Sequence, residues 1–304
     1  MTNWLVFFIT TLSVLIFTTG CQQPSPETTE PTTTEPSMPV PDIVRTPQKV
    51  PFHDICAEIL KDYVNDNGMV NYNMLRLKRH LLKTVLDEFD SLKRSEYNSW
   101  PKEDKIAFWI NAYNMQMLNI IVKNYPIKPS RIFSLFWGPK SIRHIEGDIS
   151  GIWNKYKFIV MDEEFTLGEI ERRLFRKEFD DPRVFFALSR ASLSGPPLRS
   201  EPYYGRKLNK QLDDQTRKFL ANTRGFRIDR DAGVVYLSAL LQPAWFGNEF
   251  LGKYATNKKF KDKKPETRAV LNFITNYISV QDAAFLEVEN YSVRYIAYNW
   301  ILNE

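Results

Sequence analysis

Residues 106–122 read IAFWINAYNMQMLNIIV, an unbroken helical stretch that is apolar on nearly every side. A helix with no polar face is a buried one. The rest of the chain must therefore wrap it on all sides, which requires one sizeable core. Ser99 and Pro101 open the helix, Glu103 and Asp104 suit its first turn, and Pro126 closes it, so the expected span is 102–124. Residues 51–304 supply 254 residues, enough for a single large domain. With 43% hydrophobic and 14% aromatic residues, a packed globule is expected and disorder is not. No period of 20–50 residues repeats, which argues against a solenoid.

Other elements follow from periodicity. Residues 54–64 place Ile55, Ile59, Leu60 and Tyr63 on one helical face, and Asn67-Gly68 ends it. Residues 74–89 form a second amphipathic pattern through Leu75, Leu82, Val85, Leu86 and Phe89. A strand over 155–161 turns at Asp162-Glu163 and returns at 164–165. Thr166 and Glu169 have capping-box spacing and start a helix to about Phe175. Leu208, Leu212, Gln215 and Phe219 mark another helix, with Gly225 as its stop. Residues 226–228 and 234–237 form a hairpin candidate, 266–278 a helix, and 293–298 a strand. Helices outnumber short strands, so the expected class is α+β, a helix-rich single domain with a small antiparallel sheet.

The first 50 residues read differently. Residues 1–20 hold no Lys, Arg, Asp or Glu, and an apolar run ends in Thr18, Thr19, Gly20 and then Cys21. This layout predicts an export signal cleaved at small residues. It resembles a bacterial lipoprotein signal, which implies a diacylglycerol and palmitate-type acyl chains on Cys21. An uncleaved anchor would need about 20 apolar residues, more than this run supplies. Each buried lipid CH₂ contributes roughly 0.8 kcal/mol, so several chains hold a protein at a bilayer almost permanently. Residues 22–50 are Pro/Thr-rich, with too little apolar surface to offset the entropy of ordering. The expected organisation is thus a signal over 1–20, a tether over 21–50 and a domain over 51–304. As polyproline helix the tether reaches roughly 90 Å, and as a coil roughly 30 Å.

Net charge is +5 for the chain; four carboxylates against two cations in the tether leave the domain at +7. The densest patch is Lys258, Lys259, Lys261, Lys263 and Lys264, with Phe260 its one aromatic. An exported protein seldom meets nucleic acid, so none is expected; a solvated loop is the simpler expectation, and contact with anionic lipid or glycan the alternative. Cys21 and Cys56 are the only cysteines, and His53, His80 and His144 the only histidines. No HExxH and no paired Cys spacing occurs, so neither a metal nor a cofactor is expected.

Residues 181–198, DPRVFFALSRASLSGPPL, look like the centre of a site. An apolar run ends in a Ser-rich, Gly-Pro-Pro loop, yet no Cys, His or carboxylate follows Asp181. A covalent mechanism needs a nucleophile beside a base. Ser192 and Ser194 lack the G-x-S-x-G elbow, and Cys56 lies on a helix where burial is the common fate of a thiol. Asn111 and Asn114, three apart on the central helix, either clamp a neighbouring backbone segment or line a cleft. Arg183 follows Asp180 and Asp181, which suits a structural ion pair. Arg190 stands beside the Ser192–Gly195 loop and is the better candidate to bind an anion. The pocket candidates are therefore Asn111, Asn114, Arg183, Arg190, Ser192 and Ser194.

Phrases spread along the domain resemble the domain of unknown function 547 family. They are YVNDNGMVNY at 63–72, AFWINAYN at 107–114, Trp153 with KFIVMDEEFTLGEIE, the DPRVFFAL and SLSGPPL phrases, and VRYIAYNWILN at the C-terminal end. The resemblance covers about 54–303 and implies no established activity. It does imply a bacterial, exported or lipid-anchored protein. The family's typical motif has His where Phe185 stands, and Cys where Arg190 and Gly195 stand. All three reactive positions are replaced together, so binding survives here more easily than catalysis. The expectation is a lipid-anchored cell-envelope protein, held to a membrane through Cys21, that binds an unknown envelope ligand or protein. The alternatives are a hydrolase or acyl transferase using Ser194 or Cys56, and a purely structural spacer.

Overall fold

A computed structural model of the chain describes residues 52–129, 138, 140–145, 149–242, 247–288 and 290–304. The expected export signal, Cys21 and the expected tether lie outside these residues.

Among the described residues the chain runs through α1 (Phe52–Tyr63), α2 (Tyr72–Leu77), α3 (Arg79–Ser91), α4 (Arg94–Ser99) and α5 (Lys102–Lys123). Next come α6 (Ile149–Asn154), the hairpin β1 (Lys157–Val160) and β2 (Glu163–Thr166), and α7 (Leu167–Ile170). Then follow α8 (Leu208–Ala221), β3 (Phe226–Asp229), β4 (Val234–Ser238), α9 (Gly247–Tyr254), α10 (Pro265–Ile274), α11 (Val280–Glu287) and β5 (Ser292–Ile296). The class is the expected helix-rich α+β.

Helix α5 is the axle. Every residue from Ile106 to Val122 is buried. Helices α2, α3, α7 and α8 all pack against it. Phe108 shows how: its ring meets Phe52, Phe89 and Trp100 at centroid distances of 5.4, 5.5 and 5.6 Å. Burying each such ring contributes roughly 1.5–3 kcal/mol.

The pattern over 74–89 forms two helices, not one. Asn71 caps α2 by accepting from Met74 N–H. Lys78 then leaves helical geometry, with φ −110° and ψ 26°. The break has a packing cause. Both helices pack on α1 and α5, but Tyr72 on α2 donates its hydroxyl to Asn303 at 2.9 Å, whereas α3 also packs on β1. One straight rod could not meet both sets of neighbours. The expected helix after Thr166 also changes character: the capping box forms, but from Glu171 to Glu178 the backbone widens into a π-helix. The hairpin turn falls at Met161 and Asp162, both at positive φ (53° and 61°), one residue earlier than expected. Two-residue hairpin turns of the type that matches strand twist need positive φ at both positions.

Strands β1 and β2 pair antiparallel, Lys157 opposite Thr166. Strands β3 and β4 do likewise, Phe226 opposite Leu237. Strand β5 joins β4 in parallel, Val235 opposite Val293, after the α9–α11 crossover. A parallel partner needs such a long connection, and no local pattern announces it.

The last residues are threaded into the domain. Val70 N–H donates to Asn303 O at 2.8 Å, Leu193 N–H to Ile301 O at 2.8 Å, and Leu302 N–H to Lys140 O at 3.0 Å. Gly68, at φ +74°, lies so close to the 197–198 backbone that a Cβ would stand 2.6 Å from Leu198 N. The Asn67-Gly68 turn thus seats the 181–198 segment against the end of the chain.

Candidate functional site

The centre of the domain is a sealed polar knot. Arg190 Nη1 donates to Glu171 Oε1 at 2.8 Å, and Nη2 to Oε2 at 3.4 Å. Tyr113 on α5 and Trp153 on α6 donate to the same Glu171 Oε1, at 2.7 and 3.0 Å. The Trp153 ring centroid lies 5.5 Å from the guanidinium carbon. The side chains of Arg190 and Glu171 are 2% and 7% exposed, so the pair meets almost no water. Burial opposes the Arg190 charge, but Glu171 and Tyr113 outweigh it, and the guanidinium is held above its ordinary value. Burial likewise pushes the Tyr113 phenol up. Glu171 is the first residue of the π-helix.

Around the knot, the asparagines clamp backbone. Asn111 Nδ2 donates to Tyr203 O at 2.8 Å while Tyr203 N–H donates back to Asn111 Oδ1 at 2.9 Å. Asn114 does the same across a bend: Nδ2 donates to Ala187 O at 3.0 Å, and Ser189 N–H donates to Oδ1 at 2.7 Å. Each amide imitates one rung of a sheet ladder and ties the segment after the π-helix to α5.

The serines are held by the C-terminal end. Ser192 Oγ and Tyr298 OH share a hydrogen bond of 2.8 Å. Ser194 Oγ accepts from Asn299 N–H at 2.9 Å, and Ser194 N–H donates to Asn299 O at 3.2 Å. Burial pushes the Tyr298 phenol up to about 12, against the Ser192 hydrogen bond and Arg190, which lower it. Among the described residues neither a histidine nor a carboxylate is hydrogen-bonded to Ser192 or Ser194. Gly195 is required by crowding: a Cβ there would stand 2.8 Å from the Arg190 Cβ.

Candidate nucleophiles and bases elsewhere lie apart from these serines in the hydrogen-bond pattern. Cys56 is wholly buried, and burial followed by the Glu88 charge raises its thiol far above the usual range. Burial lowers His53 to about 4. His144 Nε2 contacts Gly138 O at 3.1 Å, and His80 is exposed on α3. Among the described residues no group of three His, Cys, Asp or Glu side chains is placed to hold a metal ion.

Arg183 has a different setting. Its guanidinium donates to Asp181 (2.6 Å), Asp213 (2.7 Å) and Asn209 (2.8 Å). Asp181 foremost, with Asp213, raises its pKa against the effect of burial. Arg183, Asp181 and Asn209 line a cleft of about 340 Å³ together with Lys102, Glu103, Asp180, Lys253, Tyr254 and Tyr277. Of the six candidates, then, Arg183 alone lines this cleft. Asn111, Asn114, Arg190, Ser192 and Ser194 are each at most 4% exposed and are bonded to protein atoms. Phe185, where the resembling family has His, lines a small adjoining hollow and stacks under Arg176, with 5.6 Å from guanidinium carbon to centroid.

Residues 97–220 match the profile of the family described as Protein of unknown function, DUF547. The match is narrower than the 54–303 span of sequence resemblance. It contains Tyr113, Glu171, Arg183 and Arg190, the two asparagine clamps, and both serines. Tyr254, Tyr277 and the Tyr298-Asn299 partners of the serines lie beyond it. No curated protein and no solved structure matches the chain.

Sequence reasoning missed Glu171 and the part Tyr113 and Trp153 play. The usable signal was Arg190 itself. A guanidinium in an apolar segment demands a carboxylate, and Glu171 sits in a capped helix whose face otherwise buries Ile170, Leu174 and Phe175.

Proposed function

We propose that this chain is a lipid-anchored protein of a bacterial cell envelope whose domain binds a ligand and does no covalent chemistry at its centre. The observation that carries the binding half is the Glu171–Arg190 pair. It fills the centre of the DUF547 match with a neutralised, water-excluded contact. A reacting group needs an access route and a nucleophile with its base. Here the loop hydroxyls are engaged with Tyr298 and Asn299, and the only domain thiol is buried in its protonated form. The cleft lined by Arg183 is open, which makes it the place for a ligand.

The anchoring half rests on the uncharged apolar start, the small residues before Cys21 and the Pro/Thr-rich spacer. Exchanging Cys21→Ala should move the protein from the membrane fraction to the soluble fraction and remove the lipid mass. Retention of the variant in membranes would end that half. For the binding half, folded protein is treated with a fluorophosphonate and with iodoacetamide and weighed intact. The expected result is no adduct; a stoichiometric adduct on Ser194 or Cys56 would restore the hydrolase or acyl-transfer reading.

A further inference from the structure

We infer that the Arg183 cleft is a carbohydrate site, built for a neutral, polyhydroxylated ring rather than for an ion or an apolar molecule. This rests on the binding reading above and names its ligand class. The cleft's volume, about 340 Å³, falls within the roughly 300–1,000 Å³ of small-ligand sites. Its lining is charge-balanced, with Lys102, Arg183 and Lys253 against Glu103, Asp180 and Asp181. Arg183 is already neutralised by Asp181 and Asp213, so it has no net charge to offer an anion. A site selecting a phosphate or an ammonium would show an excess of one sign. Here both donors and acceptors line the cleft, which suits hydroxyl groups that both donate and accept.

Two tyrosines supply the apolar side. Tyr254 ends α9 and Tyr277 follows α10, and both lean on buried Phe273, at centroid distances of 5.3 and 5.1 Å. That anchor fixes the ring positions before a ligand arrives, so little freedom is lost on binding. Lys253 stands over Tyr254 at 5.7 Å and Arg217 over Tyr277 at 5.5 Å, taking part of each ring face. A tyrosine ring lining the cleft offers a face for the C–H patch of a sugar. Asp180 is exposed at φ 47°, a left-handed geometry that Asp and Asn tolerate better than other side-chain-bearing residues. Asp180→Asn therefore changes the acceptor without disturbing the backbone.

The test uses full-length protein in mild detergent, titrated calorimetrically with chitotetraose, cellotetraose and maltotetraose at low and high salt. Parallel titrations use an anionic polygalacturonate oligomer and trilysine. One neutral tetrasaccharide should bind, with a dissociation constant that changes less than about twofold with salt. Tyr254→Ala or Tyr277→Ala should weaken it by about tenfold or more, Asp180→Asn by several-fold, and the Phe variants of either tyrosine by less than Ala. The Phe and Asn variants retain the packing on Phe273, so the result does not depend on whether an Ala variant folds. Saccharide binding that ignores the tyrosine and Asp180 variants overturns the inference, as does binding of the charged oligomers alone. In the latter case loss of binding in Lys253→Ala or Asp180→Asn would leave the domain a binder of another ligand class. If no probe binds and a broad thermal-shift panel is also silent, the inference and the binding reading fall together.

Discussion

Arg190 and Gly195 stand against each other: a Cβ placed on Gly195 would lie 2.8 Å from the Arg190 Cβ. These are the two positions at which the resembling family carries Cys. Disulfide-bonded residues have Cβ atoms about 3.8 Å apart, so a small relaxation of the loop brings this pair to bridging distance. A cysteine pair engineered at these two positions is therefore expected to close a covalent staple where the ion pair now stands. The triple variant Glu171→Gln, Arg190→Cys, Gly195→Cys should form an intramolecular disulfide on oxidation. Mass spectrometry would detect it as a loss of two hydrogens and a linked peptide. Two free thiols in folded, oxidised protein would rule the staple out.

The same crowding predicts the effect of a single methyl group. Gly195→Ala should destabilise the domain by about 1–3 kcal/mol, the usual effect of overpacking. Urea unfolding monitored by tryptophan fluorescence measures it, and an unchanged midpoint would contradict the geometry.

Breaking the central pair by one partner should be far worse than replacing both. Arg190→Met leaves Glu171 buried with an uncompensated charge, an error that costs about 3–5 kcal/mol. The double variant Glu171→Leu, Arg190→Met should recover most of that loss, because two apolar side chains of similar bulk strand no charge. A double-mutant cycle in denaturant is the measurement. If the double variant is as unstable as the sum of the singles, the knot does more than neutralise itself.

His53 makes stability fall in mild acid. Burial, opposed by Asp54, holds its folded-state pKa down to about 4 against 6.5 for the free side chain. Between these values the unfolded chain binds the extra proton, so the contribution is fully present above about pH 6.5 and is lost as pH falls towards 4. The ring is partly exposed, so the effect is discounted to about 2 kcal/mol. Unfolding wild type and His53→Gln at pH 7.5 and 4.5 should show a smaller pH loss in the variant. Equal losses would mean that His53 titrates normally.

The C-terminal end should matter out of proportion to its length. Asn303 accepts from the Tyr72 hydroxyl at 2.9 Å and donates to Gly68 O at 3.0 Å. Tyr72→Phe removes one of these bonds, whereas Asn303→Ala orphans both buried partners. The expected losses are about 1 kcal/mol for Tyr72→Phe and about 2–3 kcal/mol for Asn303→Ala. Reversal of that order in chemical denaturation would show that the two bonds are not what seats the end of the chain.

Much of the local structure was legible in the amino-acid order. The all-apolar run became the buried 106–122 stretch of α5, the Thr166–Glu169 spacing became a capping box, and the 226–228 and 234–237 pattern became a hairpin. These rest on contacts between residues a few positions apart, which periodicity records directly. The exception at Lys78 is instructive, because the apolar spacing continues through it and only the neighbours of α2 and α3 demand the break.

The site was legible in its parts and not in its arrangement. The order of residues by itself determined that Asn111 and Asn114, on the all-apolar helix, would each need partners, because a buried polar group left unpaired is costly; it pointed Arg190 at an external anion, and the structure gives it the internal Glu171 instead. Which partners they found was decided by the tertiary structure alone: Glu171 for Arg190, the Tyr203 backbone for Asn111, and the 187–189 bend for Asn114. Parallel β5 and the cleft shared by Arg183, Tyr254 and Tyr277 have the same origin. Chain segments far apart in sequence meet where their apolar faces pack, and the polar pairings are whatever that packing brings within 3 Å.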